Sequence, residues 1–219
     1  MALAIAGVFL AASSAWAACD HPYFPMRPGA RHVYRASGIE VTEAVTGIAG
    51  DVVTLSVTTG AGPQLRTTTV TQTCTAEGIG SQTVNSADGK TKVRTLKRTG
   101  PEYGPAAQMK VGGTWAFQDV TESVHGKMTV TRDRRSTSRV TGSERVHVAA
   151  GDFEALRVES VVDATTTVIG ADPRRAPATG PRHSTSVAWL ARGVGLVKMV
   201  TASEGGEESP AVELISFTR

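Results

Sequence analysis

The sequence predicts an all-β domain, a curved antiparallel sheet or half-open barrel with little helix. Three observations predict it. Apolar residues recur at every second position along most of the chain, Gly-containing turns separate those runs, and no stretch combines helical periodicity with helix start and stop signals. Val53, Leu55 and Val57 alternate with Thr54, Ser56 and Thr58. Val140, Val146 and Val148 oppose Arg139, Arg145 and His147, and Leu156, Val158 and Val162 oppose Arg157, Glu159 and Asp163. Trp115 shares a side with Phe117, and Met128 with Val130. Such alternation belongs to antiparallel sheets with one wetted face, and the abundant Thr suits a pleated surface. Breaks fall at Ala49-Gly50-Asp51, Gly60 to Pro63, Ala87 to Gly89, Gly112-Gly113 and Gly151-Asp152, with short turns expected near residues 101–110.

Two departures from simple alternation carry information. Apolar parity switches from odd at Phe153 to even at Leu156 and Val158, which places a β-bulge there and bends the strand. Around Val194, Leu196, Val197, Met199 and Val200, and again around Val212, Leu214, Ile215 and Phe217, both faces are apolar, so these strands are expected to be covered on both sides. Residues 170–183, with three Pro and three Arg, and 203–210, with three Glu, are expected to form long mobile loops. The chain also echoes itself. Met26-Arg27-Pro28-Gly29-Ala30-Arg31-His32-Val33-Tyr34 parallels Met109-Lys110-Val111-Gly112-Gly113-Thr114-Trp115-Ala116-Phe117. The echo reads either as duplication of a half-sheet or as recurrence of a common turn-to-strand pattern.

Composition bounds the class. A length of 219 residues suits one domain, and 40% apolar residues provide a core built mainly of aliphatic side chains, since aromatics reach only 5%. The net charge of +3 is compatible with anionic surfaces but falls far short of a nucleic-acid footprint. Met1 to Ala12 is an uncharged apolar run too short to span a bilayer, followed by Ala15-Trp16-Ala17 with small residues where a signal peptidase needs them. Residues 1–17 therefore read as a secretory signal and 18–219 as a single β domain, although no Lys or Arg precedes the run; the other reading is a buried N-terminal element. The expected location is periplasmic or secreted, and no later segment has the length of a transmembrane helix.

The two cysteines, Cys19 and Cys74, favour a disulfide in an exported chain. It would close a loop of about 55 residues and stabilise by about 4 kcal/mol at most. The alternative is acylation of Cys19 as a membrane-anchored lipoprotein, although Trp16 stands where that pattern wants an aliphatic residue; Cys74 would then be a buried, inert thiol.

Three segments together carry a resemblance: YFPMRPGARHVYR (23–35), VHVAAGDFEALRV (146–158) and WLARGVGLVKMV (189–200). In this order they resemble a group of exported bacterial β-proteins of unassigned function, with Ala-Gly-x-Phe-x-x-Leu-x-Val and Trp-x-Ala-x-Gly-Val-Gly-Leu-Val motifs. The group is distantly like the half-barrels of LolA-type lipoprotein carriers. The resemblance implies a strongly curved antiparallel sheet and a lipid-sheltering relative. It departs from the pattern at His32, where Trp is usual.

Chemistry-bearing motifs are sparse. His21, His32, His125, His147 and His183 lack metal-ligand spacing, and no nucleophile elbow or phosphate-binding loop is present. Gly78-Ile79-Gly80 and Gly193-Val194-Gly195 lack the third glycine of a dinucleotide fingerprint. No catalytic residue, metal or cofactor is therefore expected. Arg132, Arg134, Arg135, Arg139 and Arg145 form the one charge cluster; it reads as a solvated strand face or as a patch for anionic lipid heads or an acidic partner, with Asp133 and Glu144 interrupting it. The function expected is non-enzymatic binding of an apolar ligand, a lipid or acyl chain, on a concave sheet. The alternative is an envelope structural or assembly factor that binds another protein, with a hydrolase a distant third.

Overall fold

Period-two alternation carries nearly the whole chain into one hydrogen-bonded ladder. The computed structural model describes residues 20–86, 92–125, 127–170, 181–204, 209 and 211–218. Among them, β1 (Asp20–His21) and β2 (Phe24–Pro25) form a small hairpin. Next come β3 (Arg31–Ala36), β4 (Ile39–Ala49), β5 (Val52–Thr59), β6 (Arg66–Thr75), β7 (Gly78–Ser86) and β8 (Lys92–Thr99). Then follow β9 (Thr114–His125), β10 (Met128–Val148), β11 (Gly151–Ile169), β12 (Pro181–Ala191), β13 (Gly195–Ser203) and β14 (Val212–Thr218). From β3 onward each strand pairs antiparallel with the next, and β14 returns to pair with β3. The barrel is closed. The expectation of a half-open sheet is corrected at this seam, where Leu214 meets Tyr34 and Phe217 meets His32. Single turns of 3-10 helix occur at Gly62–Gln64 and Ala106–Gln108, the latter inside the region where short turns were expected.

The internal echo is built into the backbone. Gly29 and Gly112 adopt φ of 84° and 85°, a left-handed conformation that glycine tolerates without a Cβ penalty. Each then bonds the second strand of its half in the same way. Gly29 N donates to Val45 O and Val45 N to Ala30 O; Gly112 N donates to Val140 O and Val140 N to Gly113 O. The next residues repeat as well, with Val45-Thr46-Gly47 and Val140-Thr141-Gly142 each carrying a register shift. Both threonines donate Oγ1–H across the bulge, Thr46 to Thr54 O and Thr141 to Arg157 O. Thus β3–β8 and β9–β14 are two halves of six strands. Their thinnest seams are equivalent too, with pairing over Thr83–Asn85 between β7 and β8 and over Lys198–Met199 between β13 and β14.

The bulge expected between Phe153 and Leu156 is absent, since that stretch pairs regularly with Ser143 to Val146, and the register shift of this ladder falls beyond it on β10. The extra residue is Thr141 on β10, opposite the Arg157–Val158 step. The parity switch has another cause: both faces of β11 are covered here, Phe153 and Ala155 packing in one apolar cluster and Leu156 and Val158 in another.

Beyond this bulge β10 and β11 continue as a long hairpin that reaches β14, with Ala150 N donating to Leu214 O. Val146, Val148, Ala155 and Phe153 pack there with Ala191, Val194, Val197, Leu214 and Phe217. Val197 and Leu214 are fully buried in this cluster, and the doubled apolar pattern of β13 and β14 coincides with register shifts at Val197 and Ile215. The β1–β2 hairpin tucks against the same end: Gly193 N donates to Pro22 O, and the Phe24 ring meets the Tyr103 ring at 4.1 Å. Cys74 is buried among Val53, Leu55 and Ile79. Cys19 and the signal segment lie outside the described residues, as do most of 170–183 and part of 203–210.

Two stability outcomes follow from this packing. Leu214→Ala is expected to cost about 2–5 kcal/mol in urea unfolding, whereas Val161→Ala on the exposed outer face should stay within about 0.5 kcal/mol. Gly29→Ala and Gly112→Ala, at matched turns with open space around both Cβ positions, are expected to lose similar amounts, about 1–2 kcal/mol each, from the same left-handed strain.

Candidate functional site

A small eight-stranded barrel is filled by its own side chains, and more strands leave space inside. Here that space is enlarged by small inward residues on one wall. Ser138, Ser160 and Ser186 lie in register across β10, β11 and β12, with Ser136, Ala188 and Ala36 nearby on the lining. The result is a chamber of about 520 Å³. Its opposite wall is apolar, built from Val45, Leu55, Val57 and Val70 on β4, β5 and β6, while Phe117 and Trp115 on β9 stand directly beside Ser136 and Ser138. Phe24, Pro25 and Met26 of the N-terminal hairpin also line it. The serines satisfy part of their polarity internally, since Ser138 Oγ and Ser160 Oγ are 2.8 Å apart.

Polar groups in the chamber are few and placed. Glu43 lines it on the same face of β4 as Val41 and Val45, and burial raises its carboxyl pKa above the ordinary value. Tyr34 and Tyr103 are pushed upward as well, by burial first and then by the nearby Glu43 and other acidic groups. Among the described residues neither the Glu43 carboxyl nor the two phenols has a hydrogen-bond partner. His32, the residue that departs from the family pattern, lines the same wall and donates from Nε2 to Val194 O at 2.8 Å. A carbonyl only accepts, so the ring holds its proton on Nε2, and burial keeps it neutral by lowering its pKa. Its counterpart in the echo, Trp115, donates from Nε1 to Glu102 O at 3.3 Å. Both rings thus tie a chamber wall to a loop carbonyl. His21 is fixed from both sides, with Tyr23 N donating to Nδ1 and Nε2 donating to Gly104 O.

A second chamber of about 240 Å³ adjoins the first, sharing Glu102 and Arg134. Its lining is charged: Arg98, Glu102, Asp119, Arg132 and Arg134. Arg134 Nη2 donates to Glu102 at 2.8 Å and Nε to Asp119 at 3.2 Å, and Ser81 Oγ donates to Glu102 at 3.0 Å. Burial alone would raise the Glu102 pKa, but the charge and hydrogen bond of Arg134, the Ser81 hydroxyl and the Arg98 charge outweigh it and hold it low. Both Arg134 and Arg98 lie over the Phe117 ring, at 4.8 and 5.6 Å from its centroid.

The five arginines of the sequence cluster do not share a face. Arg134 and the exposed Arg132 line the smaller chamber, while Arg135, Arg139 and Arg145 are exposed away from it. Strand alternation separates them: neighbours of opposite parity cannot form one patch. Among the described residues no cluster of three His, Cys, Asp or Glu side chains could hold a metal ion, and no helix is long and apolar enough to cross a membrane. Glu43, Arg98, Glu102 and Asp119 were not singled out from the sequence. For two of them a signal existed, since Glu43 interrupts the apolar parity of Val41 and Val45, and Asp119 continues that of Trp115 and Phe117.

Comparison with known proteins bears on the barrel. No protein family and no curated protein matches the sequence. An exported protein from Bacteroides fragilis with a YmcC-like fold superimposes with a TM-score of 0.56 at 13% identity, over 90% of this chain and 99% of that one. The barrel is similar to the YmcC-like fold. A lipoprotein from Parabacteroides distasonis, at 12% identity over 90% of this chain and 98% of that one, and the Escherichia coli lipoprotein YmcC, at 10% over 88% and 86%, give TM-scores of 0.46 and 0.45. Closure at the β14–β3 seam departs from the half-barrel that the LolA-type resemblance implied.

A carboxyl raised by burial favours the folded state most when it is protonated. Its contribution is full below the ordinary carboxylate range and is lost as pH rises through the raised value. Glu43→Gln is therefore expected to be more stable than the parent in denaturant at neutral pH, with the difference closing at about pH 4.

Proposed function

We propose that the protein is an exported, non-enzymatic binding protein whose barrel shelters an apolar molecule, a lipid or acyl chain. The observation that carries this reading is the larger chamber. It has an apolar wall, a row of small side chains that leaves it unfilled, and few polar anchors, the composition of a small-molecule site. Its volume falls within the range of about 300–1,000 Å³ common to such sites. The exported relative with the YmcC-like fold supports an envelope or periplasmic setting. An envelope assembly factor, the alternative, has no need of an interior kept open by serine and alanine.

Native mass spectrometry of the protein as purified, joined to titration with Nile red, tests the reading. Ala188→Trp places an indole inside the chamber and is expected to weaken dye binding by more than tenfold, whereas Val161→Trp on the outer face leaves it unchanged. Bound mass released on denaturation and a selective Ala188→Trp effect support the carrier. Dye binding insensitive to Ala188→Trp, with no bound mass, points instead to the assembly factor.

A further inference from the structure

The smaller chamber contains an arginine, Arg98, that the fold places inside without a hydrogen-bond partner among the described residues. A register shift between Thr95 and Lys97 gives β8 one extra residue, Leu96, which reverses the facing of everything after it. Without that bulge Lys97 would point inward. With it, Arg98 stands opposite Asp119, and Asp119 in turn stands opposite Arg134, so the three charged residues form one row across β8, β9 and β10. The backbone of β7 makes room. Gly80 is buried, and a Cβ there would come within 2.7 Å of the Arg98 guanidinium.

The carboxylates in this row are taken by Arg134, which hydrogen-bonds both Glu102 and Asp119. Arg98 has no hydrogen bond or ion pair to a described residue, and its Nε is buried without a partner. Burial accordingly lowers its pKa, against the raising influence of Glu102 and Asp119. The lining carries three arginines, Arg98, Arg132 and Arg134, against two carboxylates, Glu102 and Asp119. Leaving the buried Nε of a half-buried guanidinium unmatched is costly, and a bidentate oxyanion is the partner its planar fork fits best. The charged chamber adjoins the apolar one at the Arg134–Glu102 pair, which lines both, with Phe117 lining the apolar side beneath both guanidinium groups.

We infer that the occupant is an anionic amphiphile, its apolar tail in the larger chamber and its carboxylate or phosphate head on Arg98 in the smaller one. This rests on the proposed sheltering of an apolar ligand and adds the chemistry of its head. A neutral lipid would leave Arg98 as it stands, and a free anion would leave the larger chamber unused. The bulge at Leu96 and the bare backbone at Gly80 are, on this reading, the two local devices that build the head site.

The test is calorimetric titration of the full protein with dodecanoate, dodecyl phosphate and dodecanol, which share one tail, and with acetate and inorganic phosphate, which lack it. The wild type is expected to bind both dodecyl anions at least about tenfold more tightly than dodecanol, and acetate and phosphate far more weakly than either. Arg98→Met keeps an apolar stem of similar reach and should bring the anions level with dodecanol while leaving dodecanol affinity unchanged. Arg98→Lys, retaining the charge without the fork, should fall between. Whichever of the two dodecyl anions binds more tightly identifies the head as carboxylate or phosphate. If dodecanol binds the wild type as tightly as the anions, or if Arg98→Met retains the preference, the head assignment is wrong while the apolar chamber stands. If no dodecyl compound binds, the sheltering function itself falls. Should Arg98→Met fail to fold, the wild-type preference and the Arg98→Lys titration decide between the same outcomes.

Discussion

Pairing of β14 with β3 is the constraint on which the rest of the structure depends. A sheet ending at β14 would present a row of unpaired backbone groups and leave the inner faces of both terminal strands wet. Closing the ring satisfies those groups, but it also fixes the number of strands at twelve, too many for side chains of ordinary size to fill the lumen. The hollow is thus a consequence of closure, and small residues on β10, β11 and β12 enlarge it. One end is then covered jointly, by the β1–β2 hairpin and by the extended β10–β11 hairpin packed against β13 and β14.

The two halves of the barrel solve the same backbone problem and divide the interior chemistry unequally. Gly29 and Gly112, then Thr46 and Thr141, repeat the same turn and the same bulge with the same hydrogen bonds. What stands on that repeated frame differs. Tyr34 and Phe117 occupy matching positions, as do His32 and Trp115, yet the charged row of Arg98, Asp119 and Arg134 straddles the junction of the halves at β8–β9. At the other junction, β14–β3, the rings of His32, Tyr34 and Phe217 lie together instead. One junction is polar and the other aromatic, so the lumen has a charged side and an apolar side. An amphiphile would be oriented by that asymmetry, whereas a purely apolar ligand would not.

Glu43 and Arg98 both lie inside without a hydrogen bond to a described residue, and they respond to burial differently. A carboxyl can give up its charge by taking a proton at moderate pH, so Glu43 is accommodated among valines at small electrostatic cost. A guanidinium has no such escape at any physiological pH. That difference is why Arg98, and not Glu43, argues for a ligand of opposite charge.

The sequence by itself determined the all-β class, the strand faces and the turn positions, because side-chain parity and glycine conformation are local properties of a pleated chain. It showed the echo of residues 26–34 in 109–117 and the apolar doubling of β13 and β14. The alternation of Glu43 with Val41 and Val45 was also there to be read. Only the tertiary structure decided whether the sheet closed, since the β14–β3 seam joins residues far apart in the chain and nothing local specifies it. It likewise decided which arginines face inward. Arg132 and Arg134 parted from Arg135 and Arg139 by parity alone, whereas Arg145 lies past the Thr141 bulge and Arg98 points inward through a one-residue bulge that a period-two reading cannot see. A bulge is set by register between two strands, and register is a relation between strands rather than a property of either sequence.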